Sequence, residues 1–270
     1  MNSYEDLVQV LNNLGFADFY HDNIHNVQSC VDFGKRKGKI QFSSIKSAAQ
    51  QYTYDSSDKY VVNIDLQFNN LEFTSNSELI LQCIEIFDWG GVQNSNIINA
   101  INLHREGMLK SSLLRWKDWF ENDDDLSIDS EVAIWSSGWT KVFSFMFELT
   151  AMYDSRVAAY INYIFIKFFQ SLDTPEQKEA LTSVTKFLIS FGGTATRSRR
   201  LNTEFRGLLK MRSPRVERNL QANKVASWFM RYLCQLEYGE VTQENFRQVD
   251  KAMFMLGFDI NQIDTTAPFK

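Results

Sequence analysis

Proline and cysteine are scarce, with three of each in 270 residues, and nowhere do eighteen apolar residues run together. So little proline excludes a proline-rich spacer and leaves few rigid turns. The missing apolar run argues against a membrane-spanning helix. The opening MNSYEDLVQV carries neither the basic nor the apolar region of a secretory signal, so a cytoplasmic chain without membrane contact is expected. Cys30, Cys83 and Cys234 stand too far apart for a zinc knuckle or an iron–sulfur loop, and an odd count does not make a disulfide framework. They read as buried free thiols. His21 and His25 lie four residues apart near Cys30, but no acidic or cysteine partner follows at a matching interval. They read as surface histidines at a helix end rather than as metal ligands, and neither a metal nor a cofactor is expected.

Against these shortages stand 44% hydrophobic and 14% aromatic residues, enough to fill a substantial core. Helical punctuation recurs along the chain. Ser3 can cap a helix that places Leu7, Val10, Leu11 and Leu14 on one face, with Gly15 just beyond its end. Ser77 can open a second, with Leu79, Ile80, Cys83, Ile84 and Phe87 in register before Gly90 and Gly91. Thr174-Pro175-Glu176-Gln177 combines an N-cap, a proline at the first helical position and a capping-box glutamine, and the helix it opens should end before Gly192. Thr242 starts the last helix, which runs to Gly257. One stretch has period two instead: Val62, Ile64, Leu66 and Phe68 alternate with polar residues, so a small β element is expected near residues 60–73. The acidic run Asp123-Asp124-Asp125 reads as a solvated loop. The fold class is mainly α. No flexible linker separates the halves, so two packed lobes, approximately 1–130 and 131–270, are expected in one monomeric unit.

The formal net charge of −5 opposes a nucleic-acid partner on average, because phosphate is met by lysine and arginine. The charge is unevenly placed. Between Arg197 and Lys224 nine basic residues, among them Arg199 and Arg200, face only Glu204 and Glu217, so this window carries +7 and the remainder −12. Such asymmetry marks either a solvated face or a surface turned to a polyanion.

The segment 134–163 carries the chemistry. Ser136-Ser137-Gly138 is a polar turn that can leave backbone N–H groups free where a helix begins near Trp139, which is a ready anion site. Lys141 falls in the first turn of that helix, where the helix dipole does not favour a cation. Further on, Asp154 precedes Val157, Ala158, Ile161 and Phe165 on one apolar face. It is at least an N-cap.

Gly138-Trp139-Thr140-Lys141-Val142 resembles the hairpin end of the helix-hairpin-helix DNA glycosylases, and Tyr153-Asp154-Ser155-Arg156-Val157-Ala158 resembles their aspartate at the mouth of the next helix. The likeness covers about thirty residues, 134–163, and more loosely Arg218-Asn219-Leu220-Gln221-Ala222-Asn223, similar to a segment in bacterial relatives of 8-oxoguanine glycosylase. Two features depart from the family. Trp139 stands where a second hairpin glycine is usual, and only twelve residues separate Lys141 from Asp154.

The resemblance implies a two-lobed helical glycosylase fold and double-stranded DNA carrying a modified or damaged base as partner. It implies Asp154 as the carboxylate that stabilises an oxocarbenium-like sugar, and Lys141 as an amine able to attack the anomeric carbon. Ser137, Gly138, Trp139, Thr140 and Arg156, with Arg197, Arg199 and Arg200, would contact the DNA. Trp139 and Tyr153 would stack on the flipped-out base. Two substrate classes follow from the likeness: hypermodified cytosine, such as glucosylated hydroxymethylcytosine of phage DNA, in antiviral defence, and an oxidised purine such as 8-oxoguanine in repair. A binding protein that keeps the scaffold without the reaction is the competing class.

Overall fold

The computed structural model describes residues 1–33, 38–52, 71–128, 134–191, 210–211 and 215–264. They are mainly helical, and several helices begin where a capping side chain satisfies their first N–H groups. Ser3, Ser44, Ser75 and Thr174 each accept from the backbone three residues on, and the side chain there returns to the cap's own N–H. These boxes open α1 (Tyr4–Asn13), α3 (Ile45–Gln50), α4 (Asn76–Trp89) and α9 (Pro175–Thr185). Between α1 and α3 lie α2 (Phe16–Tyr20) and a π-helical turn, His21–His25. Helix α4 is capped two residues before the expected Ser77, because Glu78 closes a box on Ser75. The remaining helices are α5 (Asn94–Arg105), α6 (Leu109–Glu121), α7 (Trp139–Met146), α8 (Ser155–Ser171), α10 (Val216–Tyr238) and α11 (Gln243–Leu256). Among the described residues no helix is long and apolar enough to cross a membrane.

The helices pack as two groups. Helices α4, α5, α6 and α7 gather together, while α1, α2, α3, α8, α9, α10 and α11 form the second group. The division is discontinuous in sequence, since α1, α2 and α3 belong to the group that holds α10 and α11. The beginning of the chain packs on its far end: α3 lies along α11, and α1 lies on α9 and α10. A three-stranded antiparallel sheet repeats this closure. Strand β1 (Ser29–Asp32) pairs with β2 (Lys39–Phe42) on one side and with β5 (Ile263–Asp264) on the other, so Val31 faces both Ile40 and Ile263. A second, parallel pair joins β3 (Ile189–Ser190) to β4 (Lys210–Met211). The β element expected from the alternation at Val62–Phe68 lies outside the described residues, as do Arg197, Arg199 and Arg200.

Aromatic packing holds the second group. Phe16 meets Phe168 edge-on at 4.9 Å and Phe229 at 5.5 Å, and Phe165 lies 4.4 Å from Phe229. Each fully buried ring contributes roughly 2–3 kcal/mol, and aromatic pairing adds about 1 kcal/mol more per pair. A buried carboxylate pins the same region. Glu237, near the end of α10, accepts from Tyr20 Oη and from the backbone N–H of Ile45 at 2.9 Å, and His25 Nδ1 lies 3.2 Å away. His25 thus serves the fold.

The acidic loop after α6 is held in place at several points, beyond the solvated role expected for it. The Asp123 carboxylate makes a two-pronged pair with Arg231, and its carbonyl accepts from Tyr4 N at 2.9 Å. Lys224 donates to the carbonyls of Trp119 and Asp125 at 2.5 and 2.6 Å, and its amine sits 4.3 Å from the centre of the Trp119 ring. Burial pulls its pKa down to about 8. This lysine of the basic window therefore turns into the protein, away from any polyanion.

Candidate functional site

Helix α7 begins with the polar turn singled out in the sequence, but its N–H groups are already used. Ser136 Oγ accepts from Gly138 N and from Trp139 N, both at 3.1 Å, and donates to Asn96 Oδ1 at 2.6 Å. Gly138 is needed for closeness rather than for an unusual backbone angle. A Cβ there would come within 2.7 Å of Asn96 Nδ2 on α5. Gly138, Trp139 and Thr140 are buried, and Thr140 Oγ1 donates to Ser137 O at 3.1 Å. Of the four hairpin residues expected on DNA, only Ser137 is exposed. The hairpin caps itself, and its expected anion site is filled by a serine hydroxyl.

Lys141 stands in the first turn of α7, with its side chain nearly enclosed. Its Nζ donates to Ser137 O at 3.2 Å, satisfying the cation within its own turn. Its stem lies against Gly90, where a Cβ would approach Lys141 Cδ to 2.5 Å and Cε to 2.8 Å. Gly90→Ala is therefore expected to displace the Lys141 amine while unfolding little, because the two closest opposing atoms belong to a flexible side chain. An amine-reactive probe should label Lys141 at a changed rate in this variant, with the melting temperature nearly unchanged. Equal labelling would mean that Gly90 does not set the lysine's position.

The short spacing between Lys141 and Asp154 is spanned without a longer helix. Helix α7 stops at Met146 and the chain continues through a turn and an irregular stretch, anchored repeatedly by α10 and α11. Leu149 N donates to Gln243 Oε1 at 2.8 Å, with Leu149 at a left-handed φ of 46°. Ala151 N donates to Ser227 Oγ at 2.9 Å, and Ala151 O accepts from Asn223 Nδ2 at 3.1 Å. Met152 N donates to Asp250 Oδ2 at 3.1 Å, and Met152 O accepts from Asp154 N at 2.7 Å. Asp154 then caps α8: its Oδ1 accepts from Arg156 N at 2.8 Å and Val157 N at 3.1 Å. Oδ2 has no protein partner among the described residues.

Lys141 and Asp154 line the same pocket, of about 220 Å³. It opens where the two helix groups meet. Trp89, Phe145 and Phe254 supply aromatic wall, and Tyr52 and Met152 also line it. Trp139 and Tyr153, expected to stack on a ligand there, belong to the core instead. Trp139 meets Phe87 edge-on at 5.3 Å, and the Tyr153 hydroxyl accepts from Ile189 N at 3.5 Å. Arg156 does reach the pocket, with its guanidinium 4.2 Å from the centre of the Phe254 ring. Arg247 donates to Ser144 Oγ at 2.7 Å and to Ser144 O, tying α11 to α7.

One pocket carboxylate was not anticipated. Asp250 on α11 is buried; its Oδ2 takes the Met152 N–H, and its Oδ1 has no hydrogen-bond partner. Burial raises its pKa to about 6, and the Asp154 carboxylate adds to that rise, while Arg247, the Met152 N–H and Lys141 oppose it. A sequence signal existed. Phe246, Val249 and Met253 mark the inner stripe of α11, and Asp250 interrupts it at a core position.

A carboxylate raised in this way stabilises the fold most when protonated. Stability should fall as pH rises from about 4 to about 6 and Asp250 is forced to ionise, by roughly 3 kcal/mol at ~1.4 kcal/mol per pH unit. Asp250→Asn should therefore unfold at a higher temperature than the parent at pH 7.5 and lose that advantage near pH 4. An advantage of the same size at both pH values would contradict the raised pKa.

Among the described residues no three His, Cys, Asp or Glu side chains gather as a metal-holding group. No family model, curated protein or solved structure matches this chain.

Proposed function

We propose that the chain is a DNA glycosylase that draws a flipped-out base into this pocket and breaks its N-glycosidic bond. The observation that carries the reading is the meeting of Lys141 and Asp154 in one aromatic-walled pocket, with the aspartate capping the helix that follows. Four cations line the pocket (Lys141, Arg156, Arg247 and Lys251) against two carboxylates, Asp154 and Asp250. This local excess of positive charge favours a polyanion on a chain that is acidic overall. The size is suitable for one base, since a cavity of about 150 Å³ already accepts benzene. Trp89 and Phe254 take the stacking role first expected of Trp139 and Tyr153.

As the C1′–N bond breaks, the base leaves with the electron pair and positive charge spreads over C1′ and O4′ of the sugar. The Asp154 carboxylate stabilises that charge and directs water to C1′, and the departing base takes up a proton. An intact abasic site results. If the Lys141 amine attacks C1′ in place of water, a Schiff base forms after ring opening and permits strand cleavage.

The test is incubation with ordinary DNA, DNA containing 8-oxoguanine and phage DNA carrying glucosylated hydroxymethylcytosine, with released bases and abasic sites measured. Release from at least one is expected. Release from none would overturn the assignment in favour of a binding protein. Borohydride during turnover should trap a covalent DNA adduct that disappears in Lys141→Ala if the amine is the nucleophile; without an adduct, water is.

A further inference from the structure

We propose that Asp250 selects the occupant of the pocket by accepting a hydrogen bond from an exocyclic amino group, so that amino-bearing bases are favoured over their oxo counterparts. The inference rests on the glycosylase reading for its biological setting and on the pocket alone for its chemistry. Three observations bear on it. Asp250 lines the pocket together with Lys141 and Asp154. Its Oδ2 is fixed by the Met152 N–H, which orients the carboxyl group. That Oδ1 is buried and unpartnered. An unsatisfied buried acceptor is costly, and a ligand donor relieves that cost on binding.

The nearest cations do not remove the demand. Lys141 Nζ is bonded to Ser137 O, and the Arg247 guanidinium is bonded to Ser144. Both lower the carboxylate's energy through space without filling its lone pair. A carboxylate oxygen is the natural acceptor for an amino group such as that at C4 of cytosine. The matching oxo group sets lone pair against lone pair. Sites built around a polar contact of this kind reject the unmatched analogue far more strongly than an apolar pocket does.

Asp250 also acts on the neighbouring carboxylate. The Met152 peptide that donates to Asp250 accepts from Asp154 N, so one side chain both meets the occupant and fixes the turn that presents Asp154. An asparagine can preserve the second task and reverse the first. In Asp250→Asn the amide oxygen takes the Met152 N–H and the NH₂ group turns to the pocket as a donor.

Ligand-observed NMR with the free bases cytosine and uracil, and adenine and hypoxanthine, measures the preference directly. At pH 7.5 at least one amino-bearing base should bind roughly tenfold or more tightly than its oxo partner, with the ratio shrinking or inverting in Asp250→Asn. Equal binding within both pairs, binding of none of the four, or a ratio unchanged in the folded variant would overturn the proposal. The parent alone decides the first two outcomes, whether or not the variant folds. Amino selectivity without base release from any DNA would remove the glycosylase reading and leave the selectivity standing. Release with no amino selectivity would do the reverse.

Discussion

Asp154→Asn is expected to lower base release by about a hundred- to a thousandfold, the usual loss when a preorganised electrostatic contact to a transition state is removed. The melting temperature should stay within about 2 °C of the parent, because asparagine is as good an N-cap as aspartate. The substitution separates two duties of one side chain. The amide oxygen can still accept from Arg156 N and Val157 N, and only the negative charge is lost. Asp154→Ala removes both duties and should also cost about 1 kcal/mol of stability. Release kinetics on whichever of the three DNA substrates yields free base, measured beside thermal unfolding, decide the matter. A folded asparagine variant with undiminished release would reduce Asp154 to a helix cap.

Gly257→Ala should produce the largest loss of stability, about 3–5 kcal/mol, because backbone would have to move. A Cβ at this position would sit 1.8 Å from Arg156 O and 2.6 Å from Arg156 C. The φ of −81° is ordinary, so the glycine is required for space alone. Helix α11 therefore ends directly on the first turn of α8, the turn capped by Asp154. At ~2–4 °C per kcal/mol for a chain of this size, the melting temperature should fall by about 10 °C. A fall of less than 2 °C would mean that the two helices separate easily at this contact. Base release should suffer as well, because any separation moves Phe254 and Asp250 away from Asp154.

Local chemistry carried much of this structure in readable form. The helices opened by Ser3, Thr174 and Thr242 start where their capping side chains stand. Lys141 and Asp154 do meet in a pocket. The aromatic assignments failed for a geometric reason. Trp139 lies two residues before Lys141 on one helix, a rotation of about 200°, so the two side chains point to opposite sides. Tyr153 precedes Asp154 in a tightly turned segment that sends its ring into the core, with the hydroxyl on Ile189 N and the ring 6.2 Å from Phe191. Adjacency in sequence thus placed both rings away from the pocket. The walls come instead from Trp89 and Phe254, on helices separated from the hairpin by tens of residues, and no local pattern states that pairing. The hairpin's anion site failed because Ser136 competes for the same N–H groups. Asp250 was legible as a charge on an apolar stripe, but its partner Met152 was not.

The pairing of α3 with α11 and of β1 with β5 has a consequence for the order in which this protein is made. Synthesis delivers Lys141 and Asp154 long before Phe254 and Asp250. A nascent chain that has just released the hairpin holds Lys141 and Asp154 but lacks the helix that anchors Met152 and walls the pocket. The pocket that the two side chains line gains its opposite wall only when α11 arrives and closes on the first fifty residues. Maturation of the site is thus coupled to completion of that helix, and a ribosome stalled before residue 243 leaves a product with no formed pocket.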